Sequence, residues 1–279
     1  MDLVSNPHMI DIKQNLSQKI RIAQPRCIFC AGQEASAQMD HCPPKALFTK
    51  KQRAKGLEFG ICNACHQPTR DIDAIVATMS RLMPEPRLDA EKNDIEKYAK
   101  GLINNHPNVA NLFSDGETLP DGNFQIQAKG ENASRMHYAM HAFCARLGLA
   151  LYREKAGKFA SENMRIYANY YSAQEIYQNE IPDAIFKVFH NPTPLAAGRN
   201  SSDNQFLYDT YYDGNPTDYF VIFASVRESF CTFVVIQPDL LEFEITSNKG
   251  AVFRPGFLKG LDYRDVEQWQ RRRREGLQE

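Results

Sequence analysis

The chain is expected to fold as an α+β protein in two parts: a small cysteine-braced module, then a larger domain of helices and an antiparallel meander. Three observations carry this. Two C-x-x-C pairs, Cys27/Cys30 and Cys62/Cys65, fall in the first third of 279 residues. Apolar residues then repeat at helical spacing, most clearly over 133–155. From Gln205 the period switches to strand-like alternation, followed by apolar runs at 219–226 and 230–236. A hydrophobic content of 43% beside 24% charged residues suits a soluble chain with a sizeable core. No run approaches the roughly 20 apolar residues of a membrane span. The start, MDLVSNPHMIDIKQNL, has no basic region leading into an apolar run, so it does not read as a secretory signal. A cytoplasmic protein with no membrane partner is expected.

Residues 1–25 read as an N-terminal arm with one short helix, ending at Pro25. Residues 26–83 form the module. After His66-Gln67-Pro68, the residues Ile72, Ile75, Val76, Met79, Leu82 and Met83 recur at helical spacing, and Met83-Pro84-Glu85-Pro86 stops that helix. Residues 84–279 make the larger α+β domain. A polar helix is expected over 88–104, then turns over 106–122. The long helix at 133–155 carries the stripe Met136, Met140, Phe143, Cys144, Leu147 and Leu151, with Gly157 as its stop. Further helix is expected at 162–171 and 184–189. Phe206, Tyr208, Thr210 and Tyr212 alternate until Asp213-Gly214-Asn215-Pro216, and with the two apolar runs they predict a three-stranded antiparallel meander.

Seven cysteines, four of them in C-x-x-C pairs, read in a reducing compartment as metal ligands and not as a disulfide framework. Two such pairs supply four thiolates to one tetrahedral, structural Zn2+, and in so small a module the binding energy is folding energy. Cys144 and Cys231 are expected in the core, and Cys42 packed behind its neighbours. Between the pairs stands Asp40-His41, and His66 follows the last cysteine directly. Lys45, Lys50, Lys51, Arg53 and Lys55 are basic, with no acidic residue between His41 and Glu58, so this loop is a candidate nucleic-acid contact. Residues 1–82 carry a net charge of +4 and the remainder −5, which places the basic excess on the module's side of the chain. His137 and His141 share a helix face but lack the acidic partner of a zinc-protease motif, and read as structural. The run Arg271–Arg274 reads as a solvated tail.

The order Asp40-His41 … Cys62-x-x-Cys65-His66, framed by both cysteine pairs, resembles the zinc-containing HNH (His-Me finger, ββα-metal) endonucleases. Pro43-Pro44-Lys45-x-Leu47-Phe48 is similar to an element of stand-alone bacterial and phage members. The resemblance covers about residues 27–76. It implies a ββα-metal, treble-clef-like module that hydrolyses phosphodiester bonds in DNA, with RNA left open. His41 would be the general base. Asp40 and His66 would hold one Mg2+ or Mn2+ that neutralises charge on the phosphorane. It also implies a phage or anti-phage setting. Two departures stand out. The stretch Gly56–Ile61 lacks the middle Asn that orients the base, so a backbone carbonyl is expected to do so, and His66 stands where relatives with the Pro-Pro-Lys element more often carry Asn. Asp71 and Asp73 are secondary metal candidates, with the alternative that they complement the first turn of a helix. The competing reading is a non-catalytic zinc-finger module that binds nucleic acid or protein. The larger domain is a candidate homodimer surface.

Overall fold

The computed structural model describes residues 16–49, 53, 56–82, 89–113, 117–118, 124–125, 130–183, 185, 189, 191–197, 200–214, 218–227, 229–239 and 250–271. Lys50, Lys51, Lys55, the joint at 83–86, Asn215-Pro216 and residues 272–274 lie outside the described residues. In chain order, α1 (Leu16–Ala23), β1 (Gln38–His41), β2 (Glu58–Ile61), the single-turn α2 (Asn63–His66), α3 (Thr69–Leu82), α4 (Asp89–Asn105) and α5 (Pro107–Leu112) come first. The short strands β3 (Glu117–Thr118) and β4 (Phe124–Gln125) precede the long α6 (Gly130–Ala156). Then follow β5 (Met164–Ser172), α7 (Ala173–Tyr177), β6 (Thr193–Pro194), β7 (Ala196–Ala197), β8 (Asn200–Ser201), β9 (Phe206–Asp213), β10 (Tyr219–Val226), β11 (Phe230–Pro238) and β12 (Ala251–Phe253). The chain is α+β, with a cysteine-rich first part.

β1 and β2 pair antiparallel, Gln38 against Ile61 through His41 against Glu58. Gly60 lets the incoming chain cross close to β2: a Cβ there would lie 2.3 Å from Ser36 Oγ and 2.5 Å from the Gln24 carbonyl oxygen. The Gln24 carboxamide seals that crossing, accepting from the Gly60 N–H at 3.0 Å and donating to the Glu58 carbonyl at 3.3 Å. α3 buries Ile72, Ile75 and Val76, as their spacing predicts.

α6 is the axis of the fold. Every residue from Tyr138 to Tyr152 is buried, far more than the one predicted stripe. The reason is tertiary: β5 and β11 cover one side, while α3 and the 3-10 turn Ile28–Cys30 cover the other. Gly148 faces β11, where a Cβ would lie 2.7 Å from Val234 Cγ1, so the helix seats directly on the strand.

The main sheet is antiparallel in the order β12-β5-β11-β10-β9-β6. β9, β10 and β11 form the predicted meander. The helix expected at 162–171 is instead β5, paired along its whole length with β11 from Met164–Pro238 to Ser172–Phe230. The run Ile166-Tyr167-Ala168-Asn169-Tyr170-Tyr171 fits a pleated surface, and nine paired positions outweigh a local helical reading. Near 184–189 the Phe189 N–H does bond the Ile185 carbonyl at 3.0 Å, a helical contact. On the sheet's far face Tyr167, Tyr171, Val221, Phe223, Val235 and Cys231 form a second apolar cluster, and Cys144 lies in the main core. That main core is continuous from Cys27 through α3 and α6 to Trp269. No helix among the described residues is long and apolar enough to cross a membrane.

Candidate functional site

The cysteine cluster is built from two different local structures. Cys27 and Cys30 bracket the 3-10 turn, which Ala31 and Gly32 reverse in the left-handed region at φ 51° and 74°. The Gly32 N–H bonds the Cys27 carbonyl at 3.0 Å, the Gln33 N–H bonds the Cys30 carbonyl at 2.9 Å, and an Arg26–Ala35 bridge closes the hairpin. Cys62 instead caps α2, its Sγ accepting from the Cys65 N–H at 3.4 Å. All four residues are buried, and the four Sγ atoms lie within 4.8 Å of one another. Tetrahedral zinc with bonds of about 2.3 Å needs sulfurs roughly 3.8 Å apart, so this donor set can hold a metal such as zinc.

The thiols' own electrostatics point the same way. Hydrogen bonding from Cys27 pulls the Cys30 thiol down to about 2, and the same contact pushes Cys27 up to about 12. Hydrogen bonds to Cys27 and Cys30 push Cys65 up as well. Cys27, Cys30 and Cys65 cannot all ionise against one another, and a cation removes that conflict. From the far end of the chain, the Gly256 N–H bonds the Phe29 carbonyl at 2.7 Å, and Lys259 Nζ reaches Gln33 and Glu34 at 2.9 and 3.2 Å. Residues 256–259 thus lie against the turn that carries the first cysteine pair. No spacing rule in the sequence signals this contact.

Asp40 and His41 end β1 on opposite faces, as adjacent strand residues must. Asp40 is 5% exposed and turned inward; His41 is half-buried. Burial, then the nearby charges of Arg53 and Lys45, lower the His41 imidazole to about 4, so it is neutral at neutral pH. His66, also half-buried, ends α2, and its carbonyl accepts from Thr69 Oγ1 at 2.7 Å.

The inward partner of Asp40 is Arg146 of α6, which is wholly buried. Its Nε lies 3.6 Å from Asp40 Oδ2, and its Nη2 lies 2.7 Å from Asp73 Oδ1. Burial raises the Asp73 carboxyl to about 7, Arg146 opposing and Asp40 adding to the rise. Burial alone would lower Arg146; the two carboxylates more than offset this and its affinity for the proton rises. Burial pushes the adjacent Cys42 thiol up to about 12, with Arg146 opposing. Sequence reasoning missed Arg146. Its signal was the one arginine or lysine between Met136 and Tyr152, in the mainly apolar middle of the helix.

The other candidates fall in distinct places. Arg53 braces its own loop: Nε donates to the Pro43 carbonyl at 3.1 Å, Nη1 meets Glu58 Oε1 at 2.9 Å, and Nη2 donates to the Gly56 carbonyl at 3.0 Å. Its side chain is 8% exposed, so this cation serves the β1–β2 loop from inside. Lys45 is exposed near His41. Asp71, in the first turn of α3, pairs with His106 Nδ1 at 3.3 Å. Asp73 also lines a cleft of about 530 Å3 between α3 and α4, with Arg70, Lys97, Tyr98, Asn105 and His106. His137 Nδ1 contacts the Tyr170 hydroxyl, and the His141 ring lies 5.4 Å from Tyr170. Among the described residues the four cysteines are the one group of three or more His, Cys, Asp or Glu side chains whose ligand atoms converge. Comparison with protein-family models, with curated proteins and with solved structures gives no match for this chain.

Proposed function

We propose that this protein is a metal-dependent endonuclease of the HNH type, hydrolysing phosphodiester bonds in DNA. The observation that carries the reading is His41, a neutral, half-buried imidazole at the end of β1, in a hairpin whose second strand leads into the second cysteine pair. An imidazole that stays unprotonated at neutral pH can accept the proton of an attacking water. Zinc at Cys27, Cys30, Cys62 and Cys65 would brace a treble-clef-like hairpin and helix, with β1, β2 and α3 as the ββα unit. Asp40 and His66 would hold one Mg2+ or Mn2+; such ions keep several waters, so two protein ligands suffice when phosphate oxygens complete the shell. When bound, that ion would neutralise charge on the phosphorane. Exposed Lys45, with Lys50, Lys51 and Lys55, would meet the phosphate backbone.

One observation favours a second reading. Asp40 is turned toward the Arg146 guanidinium, and a cation beside that carboxylate competes with a divalent ion. In a non-catalytic zinc-finger module Asp40 would be a structural anion and the basic loop a binding surface.

Metal-loaded protein incubated with supercoiled plasmid and with single-stranded RNA, with Mg2+, Mn2+ or chelator, separates the readings. Metal-dependent cutting that His41→Ala abolishes supports the endonuclease. Binding without cutting, unchanged by His41→Ala, supports the binding module.

A further inference from the structure

Arg146 is placed against both neighbours of His41. Asp40 precedes His41 and lies 3.6 Å from Nε; Cys42 follows it, buried, with its thiol in the field of the same guanidinium. The third contact, Asp73 at 2.7 Å, comes from α3. Residues on either side of a strand position share one face while that position takes the other. β1 ends at the His41–Glu58 pair, and the Cys42 N–H still bonds the Leu57 carbonyl at 3.1 Å just beyond it. Holding Asp40 and Cys42 inward therefore turns His41 outward. A buried guanidinium is strongly unfavourable unless its partners are in place, so its burial in α6 fixes these three groups together. Lysine could not substitute, because a point charge lacks the planar fork that meets several partners at once.

We propose that Arg146 is a positioning residue for His41: one side chain of α6 anchors the residues flanking the base and α3 behind it. The base then presents its imidazole only while α6 is packed on β1. This rests on His41 being the base in the endonuclease reading above, and it assigns Asp40 to Arg146, leaving His66 with phosphate and water oxygens to hold the ion.

The test compares full-length, zinc-loaded wild type with Arg146→Lys, Arg146→Met and the double variant Arg146→Met/Asp73→Asn. Zinc content, melting temperature and plasmid cleavage are measured over ranges of DNA and Mn2+. Arg146→Lys is expected to keep its zinc and a cooperative melt while kcat falls about tenfold to hundredfold, the scale of an ångström's misplacement. KM for DNA should hold, since no phosphate contact is removed. An unchanged kcat in folded Arg146→Lys and Arg146→Met overturns the proposal, and so does a rise in KM with kcat intact. Should Arg146→Met not fold, Arg146→Lys and the double variant carry the same comparison. A wild type that cuts nothing overturns the endonuclease reading instead, and His41 ring signals in NMR then decide. One sharp set in wild type and broadened or doubled signals in Arg146→Lys uphold the anchoring; identical sharp sets overturn it.

Discussion

The cysteine cluster and the Asp40–His41 corner occupy the same short stretch of chain, yet different contacts hold them. Each cysteine pair is shaped locally: a left-handed reversal after Cys30, a helix cap at Cys62. Spacing alone announces such a site. The Asp40–His41 corner is shaped from a distance, by an arginine on α6 and by the Arg53 brace across the loop. The difference separates two tasks. Metal ligation asks four sulfurs to converge, which short-range turns accomplish. Fixing one side of a short strand asks for a rigid backing, and at the Asp40–His41 corner the buried Arg146 of α6 supplies it.

The largest expected effect breaks the local half. Cys65→Ala, or strong chelation, should remove the metal and unfold the 26–83 region; calorimetry and circular dichroism check this. Retained stability after metal loss would show that the continuous core suffices without it.

Next comes the distant half. Arg146→Met strands buried Asp40 and should cost about 3–5 kcal/mol in denaturant titration, with metal content retained per folded molecule. A cost below about 1 kcal/mol, the surface-pair range, would mean the triad carries little stability.

Two titrations of opposite sign sharpen the comparison. Asp73 is raised to about 7, so between about pH 4 and 7 the native state holds a proton that the unfolded chain releases. Stability from this group is present below pH 4 and is lost as pH rises toward 7. His41 is lowered to about 4, so between about pH 6.5 and 4 the unfolded chain takes a proton that the native state refuses; stability is lost as pH falls. Asp73→Asn should therefore gain in melting temperature relative to wild type as pH rises from 4 to 7. A difference flat with pH would remove Asp73 as the titrating member.

The smallest effect on stability is expected from Lys45→Ala, within about 0.5 kcal/mol for an exposed side chain. It should weaken DNA binding evenly across sequences and lower the salt slope by about 1. An unchanged salt dependence would take Lys45 out of the interface.

What the sequence could show follows the same division. The cysteine pairs, α3 and the β9–β11 meander were legible because near neighbours define them. Residues 162–171 read locally as helix because the strand character of β5 comes from pairing with β11, far along the chain. Arg146 escaped for the same reason: a charge in an apolar helix has meaning only beside Asp40, Asp73 and Cys42. The contacts of Gly256 and Lys259 with the first cysteine turn leave no local pattern at all.

The central claim is that His41 is the base of a phosphodiester hydrolase, and plasmid cleavage tests it most directly. Zinc-loaded wild type and His41→Ala, matched in metal content and melting temperature, are compared with Mn2+ or Mg2+. The account predicts metal-dependent cutting by wild type and its loss in the variant. Equal cutting by both, or none by well-folded wild type on DNA or RNA, would contradict it.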